Sequence, residues 1–219
     1  MRQWYRLLTW LLATTMIATV GCGDDDDDDE DEKVDAGAPY IYLYPEQGEQ
    51  VSVKLLPSPG CELKESDPEY GSGWSVWAEP SGLLDGDHEF LFYTAGVNWD
   101  FQLDQGYAVE GEGIFSWFEE ALPTLGLNGK ETGDFIAYWS DHLPYAPCYH
   151  IFPQDNDYVD RQIGITVTPA PDSVLRLWLV IIGKETCSLL DSPTPAAFVR
   201  KGFVVVEWGV VLKSRSFVW

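Results

Sequence analysis

The residues best suited to chemistry lie close together in the stretch SDHLPYAPCYH, residues 140–150. Cys148 and His150 are two positions apart, so they point to the same side if they lie on one strand. Asp141 or His142, at the end of the helix that we predict before them, can approach the pair. Such a trio can bind a metal ion, or activate the thiolate of Cys148 as a nucleophile.

A structural interpretation of the same residues competes with the chemical one, and we favour it. His142 is spaced to share an apolar helix stripe with Phe135 and Trp139, where a packed histidine is ordinary. Cys148 fits a buried or disulfide-bonded cysteine. We therefore predict no metal site and no cofactor, and keep a hydrolase with an atypical Cys–His site as an alternative.

Other chemical motifs are weak. The sequence contains no Gly-x-Ser-x-Gly, no His-Glu-x-x-His and no Cys-x-x-Cys. The acidic segments 85–87 and 155–160 have the composition of calcium loops, but Val159 stands where a ligand is needed, so solvated turns are the better interpretation. Three cysteines follow Cys22, an odd number that favours one disulfide and one free thiol. The three pairings among Cys61, Cys148 and Cys187 stay open.

Two charged residues interrupt strongly apolar runs. Arg176 lies in VLRLWLVII and Glu207 in FVVVEWGVVL, where neither charge is stable alone. We predict that they lie on neighbouring strands and form a structural ion pair. The alternative is that each anchors a ligand at the floor of a pocket.

Tryptophan supplies the main argument for a ligand. The chain has ten tryptophans, and Trp74, Trp77 and Trp99 lie in or beside predicted strands. An exposed row of these rings would indicate a carbohydrate- or peptidoglycan-binding module, since flat aromatic rings stack on sugars. Core packing explains most tryptophans equally well.

The elements that must position these residues are mostly strands. Two helices lie in the middle of the chain: one spans residues 114–122 and is closed by Pro123, and the next starts at Asn128 with a Glu131 capping box and ends before Pro144. We predict a mainly β (α+β) fold, an antiparallel β-sandwich-like domain with two central helices. Its strands are predicted at residues 40–44, 50–56, 73–79, 88–94, 99–103, 107–110, 148–152, 163–167, 174–182 and 203–212.

The beginning of the chain predicts export. Residues 1–21 carry two arginines, an apolar run and a small last residue, as a signal peptide does, and the run is too short to span a membrane. Residues 19–22 resemble a lipobox, which makes Cys22 the predicted lipidation site. Nine acidic residues at 24–32 then repel one another. We predict a lipidated cysteine and disordered acidic tether over 22–38, and one globular domain over 39–219.

Charge excludes one class of partner. The chain has 36 acidic and 13 basic residues, a net charge of −23. Nucleic acid binding needs a concentrated basic surface, so we predict no nucleic acid partner.

Five segments resemble a family of bacterial exported or lipid-anchored proteins that open with an I-Y-L-Y-P signature. They are IYLYPE (41–46), GWSVWAEPSG (73–82), LGLNGKETGDFIAYW (125–139), ITVTPAPDSVLR (165–176) and GFVVVEWG (202–209). The resemblance runs from Tyr40 to Gly209 and implies export, but the family has no established activity. The segment 57–73, which contains Cys61, departs from the family pattern.

These observations favour binding over catalysis. We predict a cell-envelope lipoprotein with an extracytoplasmic domain, anchored to the membrane by lipid, which binds or scaffolds an envelope polysaccharide or protein. Gly23 after the lipidated cysteine resembles the outer-membrane sorting pattern of cells with two membranes. The alternatives are the carbohydrate-binding module and the atypical hydrolase.

Overall fold

The computed structural model describes residues 33–213, which contain ten strands, three α-helices and a short 3-10 helix at Gly111–Gly113. The helices are α1 Ile114–Thr124, α2 Gly129–His142 and α3 Asn156–Gln162. The strands are β1 Lys33–Tyr44, β2 Glu49–Pro57, β3 Glu62–Asp67, β4 Trp74–Ala78, β5 Leu91–Asn98, β6 Tyr107–Glu110, β7 Cys148–Gln154, β8 Ile163–Thr168, β9 Ser173–Lys184 and β10 Val204–Leu212. The predicted signal peptide, the predicted lipidation site Cys22 and the nine-residue acidic run lie outside the described residues.

The strands form two sheets. Seven strands pair in the order β3-β5-β1-β10-β9-β7-β6, and three pair in the order β4-β2-β8. All neighbours are antiparallel except β9 and β10, which run parallel. The mainly β (α+β) class predicted from the sequence is confirmed, with one parallel pair inside an otherwise antiparallel arrangement.

The central strand β1 shows how the layers are built. Side chains alternate between the two faces of a strand, so Ile41 and Leu43 enter the core between the two sheets. Tyr42 enters a second core, formed by the other face of the large sheet and helices α1 and α2. The small sheet and these two helices therefore cover opposite faces of the seven-stranded sheet.

Several predicted boundaries are wrong. β1 begins at Lys33, so the last six residues assigned to the tether belong to the sheet, where Ala36 is fully buried. α1 includes Pro123 in its last turn, and the Asn128–Glu131 capping box opens α2 as predicted. Strand β3 and helix α3 were not predicted.

The predicted strand at residues 99–103 is absent from the described structure. The side chain of Gln154 replaces a strand partner there: its Oε1 accepts from the Gln102 backbone N–H at 2.9 Å, and its Nε2 donates to the Gln102 carbonyl at 2.9 Å. One glutamine thus provides the backbone partners that a strand would have given this loop.

Candidate functional site

Cys148 forms a disulfide with Cys187, which confirms the structural interpretation that we favoured for it and contradicts the alternative Cys–His site. Its sulfur cannot act as a thiolate or a metal ligand while it is bonded. Cys61 is the free cysteine of the described range, and its thiol donates to the Gln162 side-chain oxygen at 3.3 Å. Within residues 33–213, no cluster of three or more potential ligand side chains could hold a metal ion.

The two histidines have structural contacts instead. His150 is buried, with its Nε2 3.3 Å from the Ser188 hydroxyl, and burial, with a smaller effect of Lys184, lowers its pKa. His142 is exposed, so its predicted place on the stripe of Phe135 and Trp139 is wrong. Its ring stacks on Tyr138 with the centroids 4.1 Å apart.

The three tryptophans do not form an exposed row. Trp74 is 4% exposed and donates its indole N–H to the Pro68 carbonyl at 2.8 Å. Trp99 is half-buried, and the Lys213 amine lies 4.4 Å from its ring centroid. Trp77 is 47% exposed, on the outer face of the small sheet. Packing alone therefore accounts for two of the three rings.

Arg176 and Glu207 form a buried ion pair on the adjacent parallel strands β9 and β10. The guanidinium Nε donates to Glu207 Oε2 at 2.8 Å, while Tyr93 and Trp178 donate to Oε1 at 2.8 and 2.9 Å. Arg176 also contacts Asp160. Burial lowers the pKa of Arg176, but the attraction of Glu207 outweighs it and the pKa lies above its ordinary value. These contacts point to structure rather than to ligand binding.

The I-Y-L-Y-P tyrosines attach β1 to helix α2. The Tyr42 hydroxyl donates to Asp134 at 3.0 Å and accepts from the Trp208 indole at 3.2 Å. Burial, and then the Asp134 carboxylate, raise the pKa of Tyr42. Gly82, at φ +88°, leaves space for Tyr44, since an added Cβ would lie 2.7 Å from its ring. These contacts therefore join residues from four of the five segments that resemble the I-Y-L-Y-P family, and they are packing contacts.

A cleft opens where strand β7 ends. β7 pairs with β9 only over residues 178–184, so the stretch Val174–Leu177 continues without it. The Asn156 side chain takes its place: its amide donates to the Val174 carbonyl at 3.1 Å, and its oxygen accepts from the Arg176 N–H at 2.7 Å. The cavity measures about 770 Å³. We call it the edge cleft and define it by α3, the 102–105 loop, residues 174–177 and the segment 193–198.

Two irregular segments form the walls of the edge cleft, and both are held at several points. The 102–105 loop is fixed by Gln154, as described above. The segment 185–203, which we call the strap, is held near its start by the disulfide and near its end by Arg200, which contacts the buried Glu131 of α2. Between them, Gly106 donates its backbone N–H to the Asp191 carbonyl at 2.9 Å.

The lining of the edge cleft combines an apolar floor with carboxylates. The floor and one wall contain Leu125, Leu175, Leu177, Phe198 and the prolines of the strap. Asp104, Asp155 and Asp157 are exposed residues of the lining. The one basic residue of the lining, Arg176, is already paired with Glu207. The cleft therefore suits a ligand that is positively charged and partly apolar.

The sequence patterns did not predict this cleft. The segment DNDYVD was interpreted as a turn or a calcium loop, whereas Asp155 caps α3 and Asn156 bonds to β9.

Comparison with known protein families, curated proteins and solved structures finds no match. Within residues 33–213, none of the helices has the length and hydrophobicity needed to cross a membrane.

Proposed function

We propose that this protein is a lipid-anchored, extracytoplasmic binding protein of the bacterial cell envelope. The signal-like residues 1–21 and the lipobox cysteine Cys22 support export and anchoring. The Cys148–Cys187 disulfide agrees with an oxidising compartment outside the cytoplasm. The I-Y-L-Y-P resemblance points to the same location and supplies no activity.

The observation that carries the binding function is the edge cleft. Its amide side chains at Gln102, Gln154 and Asn156 are used to hold the backbone, so they shape the cleft rather than face a reacting group. A largely preformed cleft with an apolar floor and a few polar groups is typical of ligand sites. The proposed ligand is a basic segment of an envelope protein or peptide that carries apolar side chains.

The position of the edge cleft on the sheet fits this role. β1 starts at Lys33, opposite Asn98, and its far end Tyr44 lies level with Val204 and Ser173. The cleft lies beside Val174–Leu177, close to that far end. At about 3.3 Å per residue, the point where a tether joins β1 is roughly 30 Å along the sheet from the cleft. A tether that keeps the domain near the envelope raises the effective concentration of the cleft for envelope partners.

Lipidation at Cys22 is the first test. Mass spectrometry of the mature protein from membranes is expected to show a diacylated or triacylated N-terminus at Cys22. Cys22→Ser is expected to release the protein from the membrane or leave the signal uncleaved. A mature protein with a free amino terminus at another residue would contradict the anchor and leave the cleft proposal to its own test.

Charge reversal at the edge cleft is the second test. The probe is a labelled decapeptide of alternating lysine and leucine, measured by fluorescence anisotropy. We expect Asp104→Lys/Asp157→Lys to weaken binding at least tenfold, because two attractive carboxylates become repulsive. Glu119→Lys/Glu120→Lys on the exposed side of α1 changes the net charge equally and is expected to alter binding less than about twofold.

Comparing the two double variants distinguishes binding at the edge cleft from general electrostatic attraction of the peptide to the acidic domain. Equal losses in both would mean that the acidic surface as a whole attracts the peptide, and the edge cleft proposal would fail. A matching glutamate–leucine decapeptide is expected not to bind. Hydrolysis of an ester, amide or glycoside substrate by the purified domain would favour the enzyme alternative instead.

A further inference from the structure

The outer face of the small sheet differs in composition from the rest of this acidic chain. Strand alternation directs nine residues of β4, β2 and β8 outward, opposite the buried positions. They are Gln50, Ser52, Lys54, Leu56, Ser75, Trp77, Gly164, Thr166 and Thr168. One is a lysine and none is a carboxylate, although acidic residues outnumber basic ones 36 to 13 in the chain.

Register places hydroxyl groups in a row on this face. Ser52 of the central strand pairs with Ser75 on one side and with Thr168 on the other. Adjacent strands are about 4.8 Å apart, so the three side chains form a line roughly 10 Å long across the sheet. Thr166 lies two residues further along β8 on the same face. The row presents donors and acceptors in one plane.

Trp77 adjoins one end of this row. It follows Ser75 by two residues on β4 and pairs with Gln50, whose amide donates to the Ser75 hydroxyl at 3.1 Å. Gly48 lies against the indole, since an added Cβ would be 3.0 Å from the ring. The backbone of Trp77 is fixed by Asp85, which accepts from its N–H at 2.8 Å. The strand thus holds an exposed ring beside the hydroxyls.

We propose that this face, which we call the Trp77 face, binds an uncharged saccharide chain. An indole offers a flat apolar surface for the C–H side of a pyranose ring, and hydroxyl and amide groups beside it can bond to the sugar hydroxyls. The absence of carboxylates from the nine outward positions matches a neutral ligand and distinguishes this face from the acid-lined edge cleft. The inference does not depend on the cleft or on its peptide ligand.

Titration calorimetry of the domain with tetrasaccharides tests the proposal. The probes are a β-1,4-linked tetramer of N-acetylglucosamine and the corresponding glucose tetramer, each raised to millimolar concentration. We expect at least one to bind, Trp77→Ala to weaken that binding at least tenfold, and Trp77→Phe to weaken it less because a ring remains. Ser75→Ala/Thr168→Ala is expected to weaken the binding of that tetrasaccharide about three- to tenfold.

Matched variants keep the result unambiguous. Tyr145→Ala removes a 63% exposed ring outside the small sheet and is expected to leave binding unchanged. The Asp104→Lys/Asp157→Lys variant is also expected to bind the sugar normally, so failure of the peptide proposal and of this one are distinguishable. Absence of binding by the unaltered domain, or equal binding by Trp77→Ala with an unchanged melting temperature, would overturn the proposal.

Discussion

Replacing Glu207 by glutamine is expected to lower the free energy of unfolding by roughly 3–5 kcal/mol, the range measured when one partner of a buried ion pair is removed. Glu207 is 0% exposed and neutralises Arg176, which is itself buried. Glutamine retains the shape and a carbonyl oxygen for Tyr93 and Trp178, but leaves the guanidinium in the core without its buried counter-charge. Urea denaturation monitored by tryptophan fluorescence measures the loss.

Two further variants identify the cause of that loss. Arg176→Met/Glu207→Gln removes the isolated cation, so we expect it to be more stable than Glu207→Gln alone. Asp35→Asn breaks the exposed pair with Lys64 and is expected to cost less than about 1 kcal/mol. A loss below 1 kcal/mol for Glu207→Gln itself would contradict the buried pair.

Removing the disulfide is expected to produce the second large effect. Cys148 and Cys187 are 39 residues apart. In the chain-entropy account, a disulfide that closes a loop of that size lowers the entropy of the unfolded chain and so stabilises the folded state by about 4 kcal/mol. Cys148→Ala/Cys187→Ala is expected to lose about that free energy of unfolding. Cys61→Ser changes the free thiol and is expected to lose less than about 1 kcal/mol.

The same variant tests how the edge cleft is held. The disulfide is the covalent attachment of the strap, which otherwise relies on contacts such as Arg200–Glu131 and Gly106–Asp191. We therefore expect the lysine–leucine decapeptide to bind more weakly to Cys148→Ala/Cys187→Ala at a temperature where the domain is still folded. Unchanged unfolding free energy would contradict a stabilising disulfide, and unchanged peptide affinity would mean that the strap keeps its position without it.

Local patterns in the sequence determined much of the architecture. Short β-branched and aromatic runs bounded by Gly, Pro, Asp and Asn located most of the strands, because such side chains fit a pleated sheet and such residues favour turns. The Asn128–Glu131 box located the start of α2, because both partners lie within one turn. Arg176 and Glu207 were identified as a pair because a charge inside an apolar run needs a partner nearby. Each inference used interactions within a few residues, or a rule that holds for any core.

Tertiary structure alone decided the candidate sites. The choice of Cys187 as the partner of Cys148, the burial of Trp74 and the exposure of Trp77 depend on which strands become neighbours. The edge cleft exists because β7 ends beside Trp178, whereas β9 begins five residues earlier in the chain. The Asn156 side chain bonds to the part of β9 that β7 leaves without a strand partner. Such features depend on the relative ends and registers of strands far apart in the chain, which the spacing of residues along one segment does not encode.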